Sequence, residues 1–177
     1  SDANLKFYRD RFPGIVESKP LERSDYRDAN VLTMVENYTM SREAFIDAKI
    51  SAKLITRAYA MQDVLPNRQA NPRVQPLALS PYLVNEHKIE LRVKDRLLDG
   101  LDDLTIDSGP IEFSRQTSTL PDGLLMTYRL DTGSRESVPA SDAGKVYAVS
   151  DQIKDEAGIE FYLEKSARVS STPQGID

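Results

Sequence analysis

The chain has no cysteine, no tryptophan and a single histidine among its 177 residues. Zero cysteine excludes disulfides, thiolate metal sites and a cysteine nucleophile, and one histidine excludes a multi-histidine metal centre. No apolar run is long enough for a transmembrane helix or a secretory h-region, which excludes membrane insertion through this segment. An excess of basic charge is also lacking: 23 Lys+Arg stand against 28 Asp+Glu, a formal net charge of −5. That balance argues against a nucleic-acid partner, which calls for a basic footprint. The phosphate-cradling G-x-G-x-x-G and P-loop patterns and the G-x-S-x-G nucleophile elbow do not occur.

What is present is a chain that can build a core. Hydrophobic residues make up 40% and charged residues 29%, a mixture suited to one full domain. Ser1-Asp2-Ala3 reads as a remnant before a natural segment that begins near Asn4, with room for a signal peptide or a further domain upstream. Asn4 is placed to cap a short helix carrying Leu5, Tyr8 and Phe12, stopped by Pro13-Gly14. Ser24 to Asn30 reads as a polar turn. Val31 to Met40 has apolar residues of both parities and reads as a central strand. Ile46 to Lys53 alternates as a strand, and Leu54, Ala58, Met61 and Leu65 then recur at helical spacing before Pro66. Residues 66–81 hold four prolines and read as an extended connector.

The second half is more regular. Ile89, Leu91 and Val93 alternate with charged residues from His87 to Lys94. Leu104 to Ile106 is a short strand. The runs from Ile111 and from Leu124 to Leu130 flank the turn Pro121-Asp122-Gly123 and predict a hairpin. Ser141 is placed to cap a helix whose apolar stripe is Val146, Val149, Ile153 and Ala157, and Ile159, Phe161 and Leu163 alternate in a last strand. The expected class is therefore α+β and β-dominated. Antiparallel, sandwich-like sheets are expected, with a packing helix near the C-terminus and a short helix at the N-terminus. It forms one β-rich domain over 4–165, followed by a flexible tail over 166–177.

Candidate chemistry is sparse. His87 opens a strand and reads as a structural or surface histidine, since a catalytic base is identified by a partner in reach. Asp99, Asp102, Asp103 and Asp107 are a weak calcium candidate. They lack the D-x-D-x-D-G pattern, and a solvated loop is the favoured reading. Nothing selects a glycosidase-type carboxylate pair from 28 acids. The eight tyrosines offer stacking faces, most of them expected in core and rim. No catalytic residue, cofactor site or firm metal site is expected.

One set of segments resembles a known family. Phe7-Tyr8-Arg9-Asp10-Arg11-Phe12-Pro13-Gly14-Ile15 is similar to the segment that follows the catalytic core in bacterial exported transglutaminase-like proteins, those with an N-terminal β-rich domain of unknown function. Further matches lie along the chain. They are Ser24-Asp25, Asn30, Glu36 with Tyr38, Arg73-Val74-Gln75-Pro76-Leu77, Pro81, His87-Lys88-Ile89-Glu90-Leu91, and Val138-Pro139-Ala140-Ser141-Asp142 with Tyr147. The resemblance spans roughly residues 5–163. It implies a non-catalytic, periplasmic or extracellular accessory domain that packs on the catalytic core of its parent chain or presents a surface to an envelope protein. Phe7, Tyr8 and Phe12 are then the interface candidates. The alternative is a free-standing carbohydrate-binding module that uses exposed tyrosines and the Asp99–Asp107 loop.

Overall fold

A computed structural model of the chain describes residues 2–10, 12–41, 53–69, 73–92 and 102–162. The expected tail over 166–177, the strand from Ile46 and residue Asp99 lie outside them. The sequence reading takes 4–165 as one domain. The fold groups into two compact units, one of Ser1–Leu54 with Glu160–Asp177, the other of Ile55–Ile159.

The first unit opens with helix α1 (Asp2–Arg9). Asn4 falls inside this helix and not at its start. The Phe12 amide donates to the Tyr8 carbonyl at 2.7 Å and the Ile15 amide to Phe12 at 3.0 Å. Gly14, with φ of 89°, then turns the chain through a conformation open chiefly to glycine. A long antiparallel ribbon follows, β1 (Val16–Tyr26) and β2 (Val31–Thr39), joined by a 3₁₀ turn at Arg27–Ala29. Asn30 closes the turn with φ of 52°, a left-handed position that Asn tolerates. The sequence reading of β2 as a central strand is corrected here, because β2 belongs to a two-stranded sheet. The sequence reading assigns no element to Val16–Arg23, which carries Pro20 and no apolar alternation, and the turn it expects from Ser24 begins only after Tyr26. Both faces of the ribbon are solvated toward its tip: Tyr26, Val31, Leu32, Met34 and Val35 are all exposed.

The second unit is built on a four-stranded antiparallel sheet in the order β5-β8-β7-β6. Its strands are β5 (Val84–Arg92), β6 (Leu104–Asp107), β7 (Glu112–Leu120) and β8 (Gly123–Asp131). Register places Ile106, Phe113 and Leu130 in one cross-strand row, and Arg115, Tyr128 and His87 in the next. Apart from half-buried His87, these side chains are buried. Leu124 and Met126 continue the same face and are fully buried, as strand alternation requires. Leu120 pairs with Gly123, so Pro121-Asp122 forms the two-residue loop of the expected hairpin.

The covering layer is helix α3 (Ala143–Glu156), whose Ala143, Val146, Tyr147, Ser150 and Ile153 are buried. A short helix α2 (Tyr59–Gln62) adds the fully buried Met61. Helix α3 enters through a 3₁₀ turn at Ala140–Asp142, so Asp142 holds the capping position expected for Ser141. A ribbon of two residues each, β4 (Leu77–Ala78) with β9 (Ser137–Val138), pins the proline-rich connector. Strands β3 (Lys53–Arg57) and β10 (Gly158–Tyr162) form a further two-stranded sheet. The helical spacing from Leu54 thus resolves into a strand followed by only one helical turn. Strand content dominates, the sheets are antiparallel, and helices stand near both ends, as expected for an α+β chain.

Candidate functional site

Asp102, Asp103 and Asp107 do not converge on a cation. The Asp103 carboxylate accepts the Thr117 amide at 2.9 Å. Thr117 lies past the last residue of β7 that pairs with β6, so the carboxylate takes the place of a missing strand partner. Asp107 accepts the Gly109 amide at 2.7 Å, a local turn in which Gly109 has φ of 81°. The Asp102 carbonyl receives two donors from Arg115, Nη2 at 3.1 Å and Nε at 3.3 Å. Among the described residues no three His, Cys, Asp or Glu side chains gather to hold a metal ion. His87 sits mid-strand opposite Tyr128.

Arg115 is the charged residue the alternation hides. It is buried on the inner face of β7, where parity places it after Ile111 and Phe113. Its Nη1 donates to the Glu156 carboxylate at 2.7 Å and to the Glu156 carbonyl at 3.1 Å. Glu156 ends α3, so this guanidinium supplies a donor to the helix C-terminus, where carbonyls lack helical partners and the dipole favours a cation. These bonds join β7 to the end of α3 and to the segment that leads into β6, which makes Arg115 a tie within the fold.

The interface candidates lie on and just after α1. The rings of Phe7 and Tyr8 meet edge-on with centroids 5.3 Å apart, and Tyr8 contacts Tyr38 of β2 at 4.9 Å. Burial, followed by the charge and hydrogen bond of Glu36, pushes the Tyr38 phenol well above its ordinary value. Phe12 is half-buried. Phe7 and Tyr8 are therefore spent, at least in part, on packing within the first unit.

A cavity of about 380 Å³ opens in the second unit, within the size range of ligand pockets. Its apolar walls are Leu65, Leu77, Ile111 and Tyr147, all buried. Each wall is fixed by bonds of its own. Lys154 donates to Asn67 Oδ1 at 2.7 Å and Gln62 to the Lys154 carbonyl at 3.1 Å, which holds the 62–67 segment to the end of α3. Arg73 folds back on the Gln75 and Pro76 carbonyls at 2.9 Å each. The Thr132 hydroxyl donates to the Ser80 carbonyl and accepts the Leu83 amide at 3.1 Å.

Within this fixed frame Tyr147 is the exception. Its ring lines the cavity, and its buried hydroxyl has no hydrogen-bond partner among the described residues. Sequence reasoning held Tyr147 as one of the eight tyrosines and as part of a family-like segment, and placed it at no cavity. The cavity is assembled from stretches as distant as Leu65, Leu77, Ile111 and Tyr147, which no local spacing connects.

No family model, curated protein or solved structure matches the chain. No helix among the described residues is long and apolar enough to cross a membrane.

Proposed function

We propose that the chain is a non-catalytic accessory domain of an exported transglutaminase-like or cysteine-peptidase-like protein, packing on the catalytic core of its parent chain or presenting a surface to an envelope partner. One observation carries this reading: segments that bear the resemblance pair off in space. Tyr8 of the Phe-Tyr-Arg segment packs at a tilt against Tyr38 of the Glu-x-Tyr segment, with centroids 4.9 Å apart. Leu77 of the Arg-x-x-Pro-Leu segment pairs in register with Val138 of the Val-Pro-Ala segment. Motifs far apart in sequence therefore serve as each other's packing partners, as segments selected for one fold should.

On this reading the reactive thiol belongs to the core, and the present chain supplies scaffold and surface. The test is twofold. Reading the open reading frame upstream of Leu5 should reveal a Cys/His/Asp core, and the isolated chain should show no transamidase or peptidase turnover. Turnover by the isolated chain, or an upstream sequence without such a core, would overturn the proposal.

A further inference from the structure

We propose that the free edge of β5 joins two copies of the chain, with the two β5 strands antiparallel about a two-fold axis at Ile89. The inference is independent of the parent protein's identity, and three observations carry it.

The first is the edge itself. Strand β5 pairs with β8 residue for residue from Val84 to Arg92, without a register shift. No strand lies on its other side among the described residues. In an antiparallel ladder alternate residues turn their amides and carbonyls away from the partner. A regular edge of nine residues is therefore a template for a further strand. Strand β6, at the opposite edge of the sheet, has only four residues.

The second is the charge pattern, which selects a second copy as the occupant. Glu86, Lys88, Glu90 and Arg92 take successive places on the exposed face of β5, so the sign alternates along the edge. An edge charged with one sign repels its own copy in every register, whereas alternation leaves registers that attract. With Ile89 opposite Ile89 of the second copy, Glu86 faces Arg92 and Lys88 faces Glu90, and both pairs recur across the axis. Centring on Lys88 or on Glu90 would instead set like charges against each other. Centring on His87 keeps only the pairing of Glu86 with Lys88. The present partners of these charges lie along the same strand, Lys88 with Glu86 at 2.8 Å and Arg92 with Glu90. All four side chains are exposed, so exchanging such pairs for pairs across the axis costs little.

The third is the row on the other face of the strand. Tyr128, Met126 and Leu124 of β8 are fully buried. Their register neighbours on β5, His87, Ile89 and Leu91, are only half-buried. The apolar row thus ends at the edge with Ile89 and Leu91 partly in water. The register that pairs the charges also sets Ile89 against Ile89 and Leu91 against His87, which continues the row across the axis. One surface patch meets itself, as a two-fold interface requires.

The experiment is sedimentation velocity of the full chain over about 10 μM to 1 mM. It should show a monomer–dimer equilibrium with a dissociation constant on the order of 0.1 mM, since one added strand pairing buries little area. Lys88→Glu places like charges opposite each other twice and should weaken the dimer at least about tenfold, as should Glu90→Lys. An equal mixture of the two variants should dimerise. The double variant Lys88→Glu/Glu90→Lys should recover the original constant within about threefold. Lys88 and Glu90 stand opposite Thr127 and Leu125 of β8, so none of these changes sets like charges against each other across that ladder, and thermal melts should stay close to the original. A monomer at every concentration, a dimer indifferent to Lys88→Glu, or a folded double variant that stays monomeric would overturn the proposal. So would a dimer that survives Lys88→Glu and is lost in Met34→Asp, which would place the contact on the β1–β2 ribbon.

Discussion

Replacing Arg115 by Met separates two explanations of why a cation is buried in this sheet. If the ion pair is what matters, Glu156→Gln should cost nearly as much as Arg115→Met. The geometry argues otherwise. The Glu156 side chain is 40% exposed against 7% for Arg115, so solvent screens the carboxylate and little is lost when its charge is removed. The guanidinium itself is buried, and besides the carboxylate it donates to the carbonyls of Asp102 and Glu156. Met preserves most of the apolar stem and removes every donor. A bond from a charged donor is worth about 1.5–3 kcal/mol at half-buried Glu156 and less at exposed Asp102. With two carbonyls affected, Arg115→Met should lose about 2–5 kcal/mol, against under about 1 kcal/mol for Glu156→Gln. At about 2–4 °C per kcal/mol for a chain of this size, the first is a drop of roughly 5–20 °C and the second is near the noise. Urea unfolding, read by amide exchange in β7 and β8, reports both variants on the sheet that holds Arg115. Equal losses in the two variants, or a neutral Arg115→Met, would refute the reasoning.

Three further outcomes follow from backbone geometry and titration. A Cβ on Gly123 would fall on the Leu91 backbone carbonyl, so Gly123→Ala should cost about 1–3 kcal/mol or more and speed amide exchange in β5 ahead of β6. Tyr82 holds φ of 57° with its side chain 77% exposed. Tyr82→Asn should therefore stabilise by about 0.5–1 kcal/mol in thermal melts, and a loss would show that the ring is doing unseen packing. The phenols of Tyr38 and Tyr128 are raised above the ordinary 10.0, chiefly by burial. The neutral forms then stabilise the folded state fully below pH 10, and that contribution is lost as pH rises beyond it. Spectrophotometric titration should show these phenolates forming late, and Tyr38→Phe should remove one late step.

The regular parts of the fold were legible because their burial is one-sided. Leu124, Met126, Tyr128 and Leu130 alternate into the core, and Val146, Ile153 and Ala157 follow the helical period. Val16–Tyr26 escaped notice because a ribbon solvated on both faces imposes no hydrophobic period. Ser141 falls inside a 3₁₀ turn that precedes the helix, and Asp142 takes the N-cap position without a side-chain capping bond; residue type at a helix start does not register such a turn. Arg115 had the right parity and the wrong residue type. The cavity left no local mark, since its walls meet only through tertiary packing.

The β1–β2 ribbon has a consequence for how the chain comes apart. A two-stranded sheet with exposed Leu32 and Met34 has little buried area to set against its ordering entropy. The four-stranded sheet, with Phe113, Leu124, Met126 and Tyr128 fully buried, has far more. The ribbon should therefore open as a separate cooperative step at lower denaturant, its amides exchanging while those of β8 stay protected. One melting temperature would then average two events, and the chain is better characterised by a pair of local stabilities than by a single one.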